Sequence, residues 1–248
     1  MRVVTHDDFL QVYVHDPAAA PGRIEAVLNA IREEVTLEEA MPAGHDDIAA
    51  AHTEAHIQNV SRRGLYNISA LAAGAAIQAA VTGMEEPCFA LIRPPGHHAS
   101  ADSSWGFCYF NNMAIALEHL RRNGTISTAY VLDFDLHYGD GTVSILKNRG
   151  YVAIHNPELD DRKEYLKEVE ENLAEAKVNV IGVSAGFDNH IQDWGGVLLT
   201  EDYQAMGRMV YDACKRLGAG SFAVLEGGYN HRVIGDNVRA FLKGIQGM

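Results

Sequence analysis

The sequence predicts an α/β fold: a three-layer α/β/α sandwich on a mainly parallel sheet. Three observations carry this reading. Short β-branched or aromatic runs alternate with longer stretches of helical period, the signature of βαβ units. Most of those runs are continuously apolar rather than alternating, as strands covered by helices on both faces are. The 248 residues, 47% hydrophobic and 21% charged, are enough for one sizeable core, and one domain over 1–248 is expected.

Strands are expected at Arg2 to Val4, Cys88 to Ile92, Ala129 to Leu132, Tyr151 to Ile154, Val178 to Val183 and Phe222 to Leu225. The stretch Ser69 to Thr82 is so rich in Ala and Gly that its helix must pack closely against its neighbours. Met113 to Arg122 has helical period, with Gly124 where a C-terminal stop belongs. Arg162 to Lys177 carries Tyr165, Leu166, Val169 and Leu173 as an apolar stripe on a charged background, which predicts a half-exposed helix. Asp202 to Leu217 is the last expected helix and stops at Gly218. The segment Asp7 to Pro42 has no clear period and stays unassigned. No repeat, low-complexity tract or Pro/Gly-rich linker is present.

Charge narrows the function classes. Twenty Lys and Arg face 33 Asp and Glu, a formal charge of −13, which repels a phosphate backbone, so no nucleic-acid partner is expected. A cationic substrate would be drawn to such a surface, although acidic balance is also an ordinary state of solubility. No window approaches the roughly 18 uninterrupted apolar residues of a membrane span, and MRVVTHDDF lacks a signal-peptide apolar stretch. A cytoplasmic protein with no membrane partner is expected. Cys88, Cys108 and Cys214 form neither a disulfide framework nor a CxxC pair, which fits a reducing compartment and packing thiols.

In an open parallel sheet, ligands bind beyond the carboxyl ends of the strands. Four strand exits are rich in chemistry: RPPGHHA (Arg93 to Ala99), DFDLHYGDG (Asp133 to Gly141), SAGFDNH (Ser184 to His190) and EGGYN (Glu226 to Asn230). In an extended segment Asp133, Asp135 and His137 point to one face and can offer two oxygens and a nitrogen to a cation. The bland alternative is a strand end whose acids cap the next helix. Four such residues, Asp140 included, with no neighbouring Lys or Arg are costly without a cation. Asp188 is the natural third ligand, with Gly186 expected to let the backbone turn sharply. Two carboxylates and one imidazole leave a divalent metal open to water and substrate, the layout of a catalytic site. His97 and His98, with acids behind them, can serve as a base and a charge-stabilising partner. Tyr229 follows two glycines that could let its phenol approach a carbonyl as an oxyanion donor.

Together with GFCYFNN (Gly106 to Asn112), HDP and GR near His15 and Arg23, and a helix expected to contain His52 and His56, these segments resemble the histone deacetylase and acetylpolyamine amidohydrolase superfamily. That superfamily is related in fold to the arginases. The resemblance implies a sheet of about eight strands and a metal-dependent deacetylase. Asp135, His137 and Asp188 would bind zinc, or ferrous iron. His98 would be the general base and His97 its charge-stabilising partner. Asp133 would hydrogen-bond His97, and Asp140 would hydrogen-bond His98. Tyr229 would polarise the carbonyl, while Gly106 and Phe107 would line the channel for an acylated amine.

The chain also departs from that pattern. After the strand ending at Ile154, relatives carry a long loop whose aromatic forms one channel wall; here HNPELDDRK (His155 to Lys163) runs straight into the charged helix. Trp105 replaces a smaller or thioether residue. The pocket is then wider, or closed by a second subunit, which keeps a homodimer in view. Many relatives bind potassium through backbone carbonyls at positions matching Asp133, Asp135 and His137, helped by a serine where Ala153 stands here. The ion is still expected, since carbonyl ligation does not depend on side chain. Two alternatives are a binding module that keeps the pocket without turnover and a binuclear-manganese ureohydrolase, which needs a second set of metal ligands. The sequence does not choose among acetyllysine, an acetylpolyamine and other acylated amines.

Overall fold

A computed structural model describes residues 1–248. Its frame is an all-parallel sheet of seven strands, where the resemblance implies about eight. They are β1 (Arg2–Thr5), β2 (Thr36–Glu39), β3 (Cys88–Ala90), β4 (Ala129–Asp133), β5 (Val152–His155), β6 (Val180–Ala185) and β7 (Gly220–Leu225). The spatial order is β2-β1-β3-β7-β6-β4-β5. All but β2 fall on expected runs. β2 (TLEE) lies in the unassigned segment, at the sheet edge, with largely exposed residues, so it has no continuous apolar signature to read.

The helices are α1 (Arg23–Ile31), α2 (His45–Ala49), α3 (Glu54–Arg62), α4 (Tyr66–Thr82), α5 (Asn112–Arg122), α6 (Asp140–Leu146), α7 (Arg162–Glu175), α8 (Thr200–Leu217) and α9 (Ile234–Ile245). One layer holds α4 and α5 with α2, α3 and α6, and the other holds α1, α9, α8 and α7, each packed on the next. α9 follows EGGYN and buries Ile234, Val238, Phe241, Leu242 and Ile245, a helical spacing that was legible but not read as an element. The expected helix containing both His52 and His56 starts after His52. Thr53 caps α3 by accepting from the His56 N–H, and this leaves His52 in the preceding turn. No helix is long and apolar enough to cross a membrane.

α7 buries Tyr165, Val169 and Leu173 and is capped by Asp161, which accepts from the Lys163 and Glu164 N–H groups. α8 ends at Gly218, whose φ of +63° closes the helix in the left-handed conformation expected of that glycine. α4 is buried on nearly every side from Ser69 to Ala80, which explains its small residues. Its Gly74 meets the chain at Met41 to Ala43 so closely that a Cβ there would lie 1.9 Å from the Met41 carbonyl oxygen.

The strand order places the chemistry. β3, β7, β6 and β4 are four consecutive central strands, and each is followed by one of the four polar motifs. Because all run the same way, the four motifs converge on one edge of the sheet.

Gly74→Ala tests the packing of α4. Helix propensity alone favours alanine by about 1 kcal/mol, but overpacking against a backbone carbonyl typically costs about 1–3 kcal/mol or more. Urea unfolding is expected to show a lower midpoint than the wild type. A raised midpoint would mean that propensity wins and that the contact yields.

Candidate active site

Asp133 ends β4, and the turn beyond it folds Asp135 and His137 over the sheet edge. Asp135 Oδ1 accepts from the His137 backbone N–H at 2.9 Å, and Asp135 Oδ2 from the Gly227 N–H at 2.8 Å. Asp188, beyond β6, accepts from the Leu136 N–H through Oδ1 at 3.1 Å. His137 Nδ1 stands 3.3 Å from Asp135 Oδ1 and 3.3 Å from Asp188 Oδ2. One donor atom from each of the three residues lies within 4.8 Å of the other two.

These residues fit a metal ion. Asp188 Oδ2 is buried and faces no donor but the His137 ring at 3.3 Å, which leaves room and need for a cation. Hydrogen bonds to Asp135 and Asp188, with the charges of those carboxylates, hold His137 well above an ordinary imidazole, at about 10. Glycines keep the space open. A Cβ on Gly186 would lie 2.1 Å from Asp135 Oδ2, and one on Gly227 would lie 2.6 Å from both Asp135 Oδ2 and Asp188 Oδ2. Gly186 is therefore required for room, not for the sharp turn expected of it; its φ is not positive.

The two histidines of RPPGHHA lie with their ring centroids 4.0 Å apart. His97 Nδ1 is 3.2 Å from Asp133 Oδ2, and His98 Nδ1 is 2.7 Å from Asp140 Oδ1, which leaves His98 Nε2 free. Burial would lower the His97 pKa, but the carboxylates of Asp135 and Asp133 outweigh it and raise it well above the usual value. Burial and the neighbouring His97 charge push His98 down to about 4. One ring thus holds a proton and the other is ready to accept one.

The loop is fixed from behind. Asn111 accepts from the Ala114 N–H as the cap of α5 and donates to the Ala99 carbonyl, while Asn112 donates to the Pro94 carbonyl. These are the asparagines of GFCYFNN. Glu226, fully buried, accepts from the Gly96 and His97 N–H groups, and burial raises its pKa to about 7. Sequence reading gave it no role. His52 bridges the Asn111 N–H and the Ser100 carbonyl.

Tyr229 is half-buried, and desolvation pushes its phenol up, so it remains a donor. Its turn is clamped on two sides. Arg23, fully buried, donates to the carbonyls of Gly228 and Glu226, and Asp193 accepts from the Tyr229 and Asn230 N–H groups. Asp193 was not singled out in the sequence, and Arg23 entered only as part of a motif. A cavity of about 110 Å³ opens onto His97, His98, His137, Tyr229, Gly106 and Phe107, bringing the expected channel residues together with the histidines. Trp105 and Trp194 also line it.

The comparisons agree with this geometry. The histone deacetylase domain profile matches residues 17–159 and 154–245, two stretches that meet where β5 gives way to α7. A probable deacetylase of Methanothermobacter thermautotrophicus is 31% identical, with 99% of this chain and 91% of the relative aligned. That alignment runs over 304 positions against 248 residues here, so the relative has segments this chain lacks. The acetylpolyamine amidohydrolase of Mycoplana ramosa is 31% identical over 64% of this chain and 56% of its own length. The crystal structure of the HDA15 HD domain superposes with a TM-score of 0.86, covering 99% of this chain and 89% of that one at 22% identity, and shares the fold. With both halves of the chain matched, it belongs to the histone deacetylase family and is a hydrolase of the deacetylase type.

Proposed function

We propose that the chain is a single catalytic domain that hydrolyses the amide of an acylated amine, such as an acetyllysine or acetylpolyamine, with zinc or ferrous iron held by Asp135, His137 and Asp188. The observation that carries this is a neutral histidine, His98, tethered by Asp140 beside a three-donor cluster in which the buried Asp188 Oδ2 faces only the His137 ring. When bound, the metal supplies Lewis acidity toward the acyl carbonyl and toward a water molecule.

The chain's own groups do the rest. His98 Nε2 takes the proton of the attacking water, while Asp140 on Nδ1 fixes the tautomer and stabilises the positive charge that develops. His97, kept protonated by Asp133 and Asp135, adds positive charge next to the developing oxyanion. Tyr229 donates its phenolic hydrogen to that oxyanion. The C–N bond then breaks, and the amine leaves with a proton returned by histidine. Gly106 and Phe107 flank the path of the amine.

The remaining metal-capable group, His97, Cys108 and Glu226, is already engaged in bonds within the protein: Glu226 with Gly96 and His97, Cys108 with the His98 N–H, and His97 with Asp133. This favours a one-metal deacetylase over a two-metal ureohydrolase. A potassium ion on the carbonyls of Asp133, Asp135 and His137 belongs to the same reading. So does action in the cytoplasm, without nucleic acid or membrane.

Amine release from a panel of acetyllysine peptides and acetylated polyamines, with metal content quantified, tests the assignment. His98→Ala is expected to lower kcat roughly 10²–10⁴-fold, and Tyr229→Phe roughly 10²–10³-fold. Undiminished turnover in either variant refutes that residue's role. For the metal, Gly227→Ala pushes a methyl against both ligand carboxylates. Affinity is expected to fall roughly 10–100-fold, as for other disturbed ligand surroundings. Full metal retention after dialysis would count against Asp135 and Asp188 as ligands.

A further inference from the structure

The two histidines of the site are held by carboxylates in different surroundings. Asp133, which holds His97, has a side chain sealed from solvent, and its other oxygen accepts from the Asp135 N–H. Asp140, which holds His98, has 48% of its side chain exposed. A carboxylate in such a place can turn about its Cβ–Cγ bond, and water competes for both oxygens, so one hydrogen bond to an imidazole holds it weakly. In this chain a second donor removes that freedom. Trp105 Nε1 donates to Asp140 Oδ2 at 2.8 Å, while Oδ1 stands 2.7 Å from His98 Nδ1. The same indole lies against the His98 ring, with centroids 3.8 Å apart and planes 31° apart. Its N–H edge and its face thus reach both members of one pair.

The indole is delivered by a built turn. Ala99 and Ser104 form an antiparallel bridge, and the Ser100 N–H donates to the Ser103 carbonyl at 2.8 Å. The turn is fastened to the start of α3, where the Thr53 N–H donates to the Ala101 carbonyl at 2.7 Å and His52 bonds the Ser100 carbonyl. Directly after the indole the chain passes the base at Gly106, whose φ is +60° and on which a Cβ would lie 3.0 Å from His98 Cδ2.

We propose that Trp105 is a positioning residue for the general base: its indole locks the rotation of the Asp140 carboxylate and covers the face of the His98 ring, so that the bond on Nδ1 persists at an exposed place and Nε2 stays the accepting nitrogen. This rests on the deacetylase reading for the reaction that His98 serves. The smaller or thioether residue that Trp105 replaces has no ring to lay on His98. Asp140 is also kept charged: burial would raise its carboxyl, but the hydrogen bonds from Trp105 and His98 outweigh it and hold it below the usual carboxylate range. Trp105 lines the cavity as well, and a side chain that only shaped the cavity would act on substrate binding. One that works through Asp140 acts on turnover, and only while Asp140 is present.

Trp105→Phe keeps a ring on His98 and removes the N–H. It is expected to lower kcat about three- to tenfold, the worth of one net hydrogen bond, with KM on the same acetylated amine within about twofold. In an Asp140→Ala background the same substitution is expected to leave kcat within about twofold, since its target is gone. No loss in Trp105→Phe, an equal loss in both backgrounds, or a change in KM alone would overturn the proposal. A readout independent of turnover comes from the two tryptophans of the chain, whose indole N–H resonances are told apart by Trp194→Phe. The Trp105 resonance is expected to move upfield in Asp140→Ala and to exchange faster with solvent; an unmoved resonance would overturn the clamp. If the wild type hydrolyses no acylated amine while the resonance moves, the deacetylase reading fails and the clamp remains. Hydrolysis with an unmoved resonance sinks the clamp alone.

Discussion

The burial of several carboxylates at one point of the sheet edge governs the rest of this site. The side chains of Asp133, Asp135 and Asp188 are at most 1% exposed, and Glu226 lies fully buried behind them. Anions taken out of water are costly unless donors and positive charge surround them. The surroundings answer that need. Backbone N–H groups of Asp135, Leu136, His137 and Gly227 turn inward to donate, and His97 holds a proton among the acids. The glycines of DFDLHYGDG, SAGFD and EGGYN follow from the same crowding, since a Cβ on Gly139, Gly186 or Gly227 would strike a carboxylate oxygen. The division of labour between the histidines follows as well. Burial, and then the charge of His97 close by, keep the second ring neutral, so the acid cluster contributes through His97 to the protonation state of the base.

Much of this was legible in the sequence because parallel sheets concentrate chemistry in short segments. Apolar runs gave six strands, and the motif after each central strand carried Asp133, Asp135, His137, Asp188, His97, His98 and Tyr229 in a few residues each. What stayed hidden depends on contacts between distant parts of the chain. β2 is polar because it is an edge strand, so no run marks it. The roles of Asp193 and Glu226 lie in backbone N–H groups they cap 36 and 130 residues away. Trp194 reads as one aromatic in a polar loop until its stack on Tyr229 is seen.

The short connection after β5 coincides with the break in the family match. The family profile breaks into two stretches at that place, and the fold closes the gap with a six-residue connection. The four central strands and their exits are intact, and six residues join β5 to α7. The carboxylate cluster requires four adjacent strand ends.

Arg23 has a consequence for how the protein comes into being. It reaches from the first helix to the carbonyl of Gly228, 205 residues along the chain, and grips the turn that presents Tyr229. The metal-capable residues are much closer in sequence, from Asp135 to Asp188. During synthesis Asp135, His137 and Asp188 therefore emerge well before Tyr229, yet Asp135 gains its Gly227 N–H donor only with the last strand. Only when the last strand has been released and docked on the first helix does the phenol gain its anchor. The acid cluster and the phenol are thus completed by the same late segment, and both depend on the last strand of the sheet.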